Sequence, residues 1–237
     1  MNLPLKVKIF ADGADLNAML EMAKHPLVKG LTTNPSLMRK AGVTDYPAYC
    51  KKVLSEIPNL PISFEVFADD MENMRRQGLE IASWGKNVYV KIPITNTEGQ
   101  STTKLVSELS HQGVSLNVTA IMTLNQVLET CQALKGGAPS IVSVFAGRVA
   151  DTGRDPMALM TACSEVCRST DSNIELLWAS SREVLNVVQA DQSGCHIITA
   201  TNDIIKKLSM WHKDLELLSL ETVRQFKSDA GSAGFSL

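Results

Sequence analysis

Asn87-Val-Tyr-Val-Lys-Ile-Pro-Ile94 is an apolar, β-branched run with one lysine inside it. In an extended strand successive side chains point to opposite faces. Val88, Val90 and Ile92 therefore share one face, and Lys91 lies on the other. If that second face is buried, the ammonium loses its hydration shell, which disfavours the charged form and frees some amine. A free amine attacks carbonyls and forms Schiff bases. The plainer alternative is a lysine near a strand end whose head reaches solvent or a carboxylate.

The rest of the chain repeats this pattern. Similar runs occur at 6–12, 28–34, 61–67, 87–94, 114–120, 140–147, 173–180 and 194–201. Between them apolar residues recur at helical spacing, as in Leu16/Met19/Leu20/Ala23, Met71/Met74/Gly78/Ala82, Leu124/Leu128/Cys131 and Val184/Val187/Val188. Thr123 before Leu124, and Asp155 before Pro156, read as helix starts. Strand and helix alternating about eight times predict a parallel sheet. At 237 residues the natural closure is an α/β (β/α)8 TIM barrel, read as a single domain over 1–237 with an extra C-terminal helix over 218–228. An open doubly wound sheet is the second possibility, but no Gly-x-Gly-x-x-Gly follows the first strand and no P-loop sequence is present.

Composition narrows the class. Apolar residues make up 44%, charged residues 20%, and the net charge of −2 (pI about 6.1) points to no nucleic-acid or membrane partner. Cys50, Cys131, Cys163, Cys167 and Cys195 have no C-x-x-C spacing and read as core residues of a cytoplasmic protein. No signal-peptide apolar region follows Met1, and no run approaches membrane-spanning length. The four histidines are dispersed, without metal-binding spacing.

In a barrel, alternate strand residues point to the centre, and reactive groups lie at the C-terminal strand ends. One parity choice per strand sends Val7, Ile9, Ala11, Ile62, Phe64, Leu116 and Val118 outward. The same choice brings Asp12, Asn34, Glu65, Lys91, Asn117, Thr119 and Ser180 to one mouth. Asn34 and Ser180 also fit capping or turn positions. The set suits class I aldol chemistry without a metal or cofactor. Lys91 forms an iminium that serves as electron sink. Glu65 and Thr119 hold a proton-moving water, Asp12 acts as acid/base, and Asn34 and Asn117 bind hydroxyls or orient the lysine. Arg148, read as the end of strand 6, and Ser180-Ser-Arg182, read as a helix start, are candidate phosphate contacts.

Lys29-Gly-Leu-Thr-Thr-Asn-Pro-Ser-Leu37, the Val88–Thr95 lysine strand, Asn117-Val-Thr119 and Val144-Phe-Ala-Gly-Arg148 occur in an order that resembles the transaldolases, in the short subgroup that includes fructose-6-phosphate aldolases. The resemblance implies transfer of a dihydroxyacetone unit between sugar phosphates. It makes Lys91 the Schiff-base residue, Asp12 the acid/base, and Glu65 and Thr119 the water holders. Thr33, Asn34, Asn117 and Phe145 become substrate contacts, and Arg148, Ser180 and Arg182 lie around the phosphate. Glu65 and Phe145 resemble transaldolases, whereas the aldolases tend to carry glutamine and tyrosine. The resemblance also implies a homo-oligomer, a pentamer or decamer, with the C-terminal helix exchanged or covering its own barrel. A lyase releasing dihydroxyacetone and a non-catalytic sugar-phosphate-binding barrel are the alternatives.

Overall fold

The computed structural model describes residues 3–235. Eight parallel strands, each hydrogen-bonded to the next in chain order, close into a barrel when the last meets the first. They are β1 (Lys8–Asp12), β2 (Val28–Thr32), β3 (Ile62–Glu65), β4 (Val88–Pro93), β5 (Leu116–Ile121), β6 (Ser140–Val144), β7 (Ile174–Trp178) and β8 (Ile197–Thr201). All eight expected runs form strands, most of them shorter than the apolar run that announces them.

The helices are α1 (Leu16–Ala23), α2 (Pro35–Lys40), α3 (Tyr46–Glu56), α4 (Met71–Ala82), α5 (Thr103–His111) and α6 (Leu124–Leu134). Then come α7 (Ala146–Asp151), α8 (Met157–Thr170), α9 (Leu185–Gln192), α10 (Asn202–Lys207) and α11 (Leu215–Ser232). Their starts are chemically marked. Thr123 and Gln126 form a reciprocal capping box on α6, and Asp15, Asp45 and Asp70 cap α1, α3 and α4 through side-chain oxygens. Asp155 accepts from Met157 N at 2.9 Å, but Pro156 lies outside α8.

The two strand faces build two cores. Outward residues such as Ile9, Ile62, Phe64, Val90, Ile92, Leu116, Val118 and Trp178 pack with the helices into one continuous layer. Each such side chain, fully buried, contributes about 1.5–3 kcal/mol. Inside the barrel, Phe10, Ile141, Leu177, Ala179 and Ile197 form a smaller apolar plug. Phe10 is accommodated by Gly30 on the neighbouring strand, where an added Cβ would lie 2.5 Å from the ring. Two of its members, Leu177 and Ala179, also line the cavity formed by the polar strand ends.

Helix α11 is longer than the expected 218–228, and none of its residues is buried. It does not cover the barrel of its own chain. Among the described residues, no helix is long and apolar enough to cross a membrane.

Candidate active site

The C-terminal strand ends surround a cavity of about 570 Å³. Asp12, Asn34, Glu65, Lys91, Asn117, Thr119, Phe145, Arg148 and Ser180 all line it, as the parity of their strands requires. Lys91 comes up from β4 with 7% of its surface exposed. Its Nζ donates to the Thr33 carbonyl at 2.8 Å and lies 3.1 Å from Glu65 Oε2. The amine therefore has two oxygen partners and points from the barrel wall toward the cavity.

The other polar groups are held by one another. Asn117, with no exposed surface, donates to Ser63 Oγ at 3.0 Å and accepts from Ser143 Oγ at 2.6 Å. Asp12 accepts from Thr32 Oγ1 at 2.7 Å, and Thr32 in turn meets the Thr199 hydroxyl. Burial pushes the Asp12 carboxyl above its ordinary value. The Thr32 hydrogen bond and the Lys91 charge oppose that shift, while the Glu65 charge adds to it. Thr119 Oγ1 is buried without a hydrogen-bond partner in the protein. Such a group costs about 1–3 kcal/mol unless something polar meets it, which suits a hydroxyl waiting for a water or a substrate.

Two backbone irregularities sit at this rim. The β5–β6 register shifts between Val118 and Ile121, and Ala120 takes a left-handed φ of 62°. Ser180 takes a φ of 61°. Non-glycine residues adopt this region at a cost of about 1–3 kcal/mol, typically beside functional sites. The bulge lies directly after Thr119 and re-aims the strand end. At Ser180 the turn drives its carbonyl against Gly147, where an added Cβ would sit 1.7 Å from that oxygen.

Three sequence expectations need correction. Thr33 is fully buried with its side chain on the outward parity, donating to Ser63 O at 2.8 Å. It meets Lys91 through its carbonyl and presents no hydroxyl to the cavity. Arg148 does not end a strand: β6 stops at Val144, and Arg148 lies on the short α7, with its guanidinium 5.3 Å from the Phe145 ring centroid. Arg182 does not line the cavity; it forms an ion pair with Asp151 at the surface. Helix α9 starts only at Leu185, and the amides of Arg182 and Glu183 already donate to Asn186 Oδ1. Asn34 does both jobs its sequence position allows, lining the cavity and capping α2 through Leu37 N at 3.0 Å.

Ser63, Ser143 and Thr199 also line or buttress the cavity and were not singled out from sequence. The available signal was parity, since Ser63 precedes Glu65, and Ser143 precedes Phe145, by two residues. Among the described residues, no cluster of three or more His, Cys, Asp or Glu is placed to hold a metal ion.

Residues 9–237 match the sequence profile of the family described as Transaldolase/Fructose-6-phosphate aldolase. A protein of Methanococcus maripaludis named "Probable transaldolase" is 38% identical over 202 residues, 85% of this chain and 89% of that protein. Another of that name, from Dehalococcoides mccartyi, is 35% identical over 202 residues, 85% and 90% of the two chains. One from Thermoanaerobacter is 34% identical over 231 residues, 98% and 100%. A solved structure described as "Native KDPGal structure" superposes with a TM-score of 0.53 at 10% identity, covering 99% of each chain; that likeness concerns the barrel fold alone.

Proposed function

Because the chain belongs to the transaldolase/fructose-6-phosphate aldolase family, we propose that it is a transaldolase. In this reading a Schiff base on Lys91 moves a dihydroxyacetone unit from a ketose phosphate, such as fructose 6-phosphate, to an aldose phosphate. The observation that carries the reading is the setting of Lys91: one shielded amine facing a polar cavity, with a carboxylate 3.1 Å away and a second carboxyl, Asp12, across the mouth.

The steps follow from the positions. Lys91 gives up a proton, for which Glu65 is the adjacent acceptor, and its nitrogen attacks the ketone carbon. The carbinolamine loses water as a proton is delivered to its oxygen, leaving an iminium. The unpartnered Thr119 hydroxyl and Glu65 are placed to hold the water that carries these protons. Asp12, held by Thr32, removes the proton of the substrate hydroxyl whose carbon becomes the departing aldehyde. The electron pair of the broken carbon–carbon bond is stored as an enamine. An incoming aldehyde reverses these steps and receives the three-carbon unit. Arg148 and Ser180 are the cavity's candidates for the phosphate, while Arg182 is engaged with Asp151.

Transfer is favoured over release by Phe145. A lyase needs a proton delivered to the enamine carbon from water, and a phenyl ring offers no hydroxyl to guide it. The site thus holds its intermediate until an acceptor arrives. The five unpaired thiols agree with a reducing cytoplasm. The bare apolar side chains of α11 agree with a homo-oligomer.

The test is borohydride trapping with fructose 6-phosphate, read by intact mass and peptide mapping. A three-carbon adduct on Lys91 is expected. An unmodified protein, or an adduct on another lysine, would refute the assignment.

A further inference from the structure

The ladder between β2 and β3 breaks where the two strands reach the mouth. Its rungs run from Leu31 N to Pro61 O at 2.9 Å and from Thr33 N to Ser63 O at 3.2 Å. At that spacing the next rung would join residue 35 N to Glu65 O, and Glu65 N would return to Thr33 O. Residue 35 is proline, which has no amide hydrogen to give. The Thr33 carbonyl accepts from Lys91 Nζ instead. Both orphaned groups of Glu65 are taken up by one side chain. The Tyr46 hydroxyl, at the head of α3, accepts from Glu65 N at 2.9 Å and donates to Glu65 O at 3.0 Å. Its ring is fixed edge-on to Phe67, with centroids 5.6 Å apart, and tilted against Trp84 at 6.1 Å. Burial pushes the phenol well above its ordinary value, so it remains a donor across the working pH range.

From this geometry we propose that Tyr46 is a positioning residue for the reaction. Its hydroxyl replaces the strand rung that Pro35 cannot make. It thereby reserves the Thr33 carbonyl for Lys91 and holds Glu65 against the same amine. The proposal rests on the Schiff-base reading of Lys91. Without the hydroxyl, the amide of Glu65 is a donor in search of an acceptor, and an unmet buried donor is costly. The acceptor in ladder register is the Thr33 carbonyl, so the amide competes with Lys91 for one oxygen.

The experiment compares Tyr46→Phe with Phe67→Leu, a control that loosens the packing of the same ring and leaves its hydroxyl in place. Three quantities are measured: the rate of borohydride trapping with fructose 6-phosphate, the donor concentration for half-maximal rate, and hydrogen exchange at the Glu65 amide. Tyr46→Phe is expected to slow trapping about ten-fold or more, while the half-saturating concentration moves less than about three-fold. Exchange at Glu65 should accelerate. Phe67→Leu is expected to lower the melting temperature while retaining near-native trapping. A native trapping rate in Tyr46→Phe would overturn the proposal, as would unchanged exchange at Glu65. A loss of rate that Phe67→Leu reproduces would also overturn it, by making the effect one of general packing. If the unaltered protein forms no adduct, the Schiff-base reading falls and takes the catalytic part of the proposal with it. The exchange measurement then still shows whether the hydroxyl stands in for the rung.

Discussion

Asp12 illustrates what the site costs the fold. Its carboxyl is raised above its ordinary value, chiefly by burial, so the folded state holds its proton more tightly than the unfolded chain does. Stability from this group is therefore greatest below the unfolded value, near 3.8, and falls as pH rises from there toward the folded value. Asp12→Asn keeps an acceptor for Thr32 and removes the buried charge. It is expected to raise the melting temperature at neutral pH, with the gain vanishing in acid, and to lower transfer activity about a hundred-fold or more. Thermal melts across pH and a coupled transfer assay read the two effects. Elsewhere in the cavity lining, Phe145→Tyr is expected to raise the yield of free dihydroxyacetone relative to transfer about ten-fold, measured without and with an aldehyde acceptor. The convergence of Lys91, Glu65 and Asp12 on one cavity was legible in the sequence because burying an ionisable group in an apolar strand is costly and is tolerated mainly where the group is paired. Thr33 was not, because it adjoins inward-facing residues and its contribution is a backbone carbonyl, which any residue type supplies. The Arg182 ion pair was not legible because a basic residue after a strand looks the same whether it lines the cavity or, as here, pairs with Asp151.

At the scale of elements, the mouth is shaped by joints between strands and helices more than by the strands themselves. Helix α7 and the β7–α9 connection touch where the Ser180 carbonyl rests against Gly147. Gly147→Ala places a methyl on that oxygen and forces the helix and the connection apart. It is expected to cost about 2 kcal/mol or more and to lower the melting temperature by about 4–8 °C, read by calorimetry. Because Arg148 lies on that helix and Ser180 on that connection, half-saturation by the sugar phosphate should rise as well. The strand runs were readable from their apolar alternation, yet their ends were overestimated. At 28–34 and 140–147 the residues past Thr32 and Val144 already belong to the turn into α2, or to the cap and first turn of α7. The bulge after Thr119 has no sequence signature, since Ala120 adopts a backbone angle for which glycine or asparagine is the usual sign.

For the molecule as a whole, the barrel closes on itself and none of its eight strands keeps a free edge, so association by strand addition is closed to it. Helix α11 offers exposed apolar surface: Leu217, Leu220, Val223 and Phe226 follow one another at three-residue spacing, with Val223 60% and Phe226 66% exposed. Phe226→Asp is expected to shift the sedimenting species to a smaller mass while leaving the barrel's melting transition in place, and a protein that is already monomeric would refute this. The (β/α)8 closure was legible because the alternation of strand and helix runs along nearly the whole chain. The length and exposure of α11 were less so, because a helix meeting a partner and one meeting its own barrel carry the same stripe. The thiols have a further consequence. All five cysteines are free and buried, and burial pushes Cys50 and Cys163 up to about 12 and Cys195 up to about 11. The thiolate is the form that attacks alkylating reagents, so the intact barrel is silent to them and each label taken up records an opening of the layer between strands and helices. The chain thus carries its own clock for unfolding, readable by mass from the labelling of its native thiols.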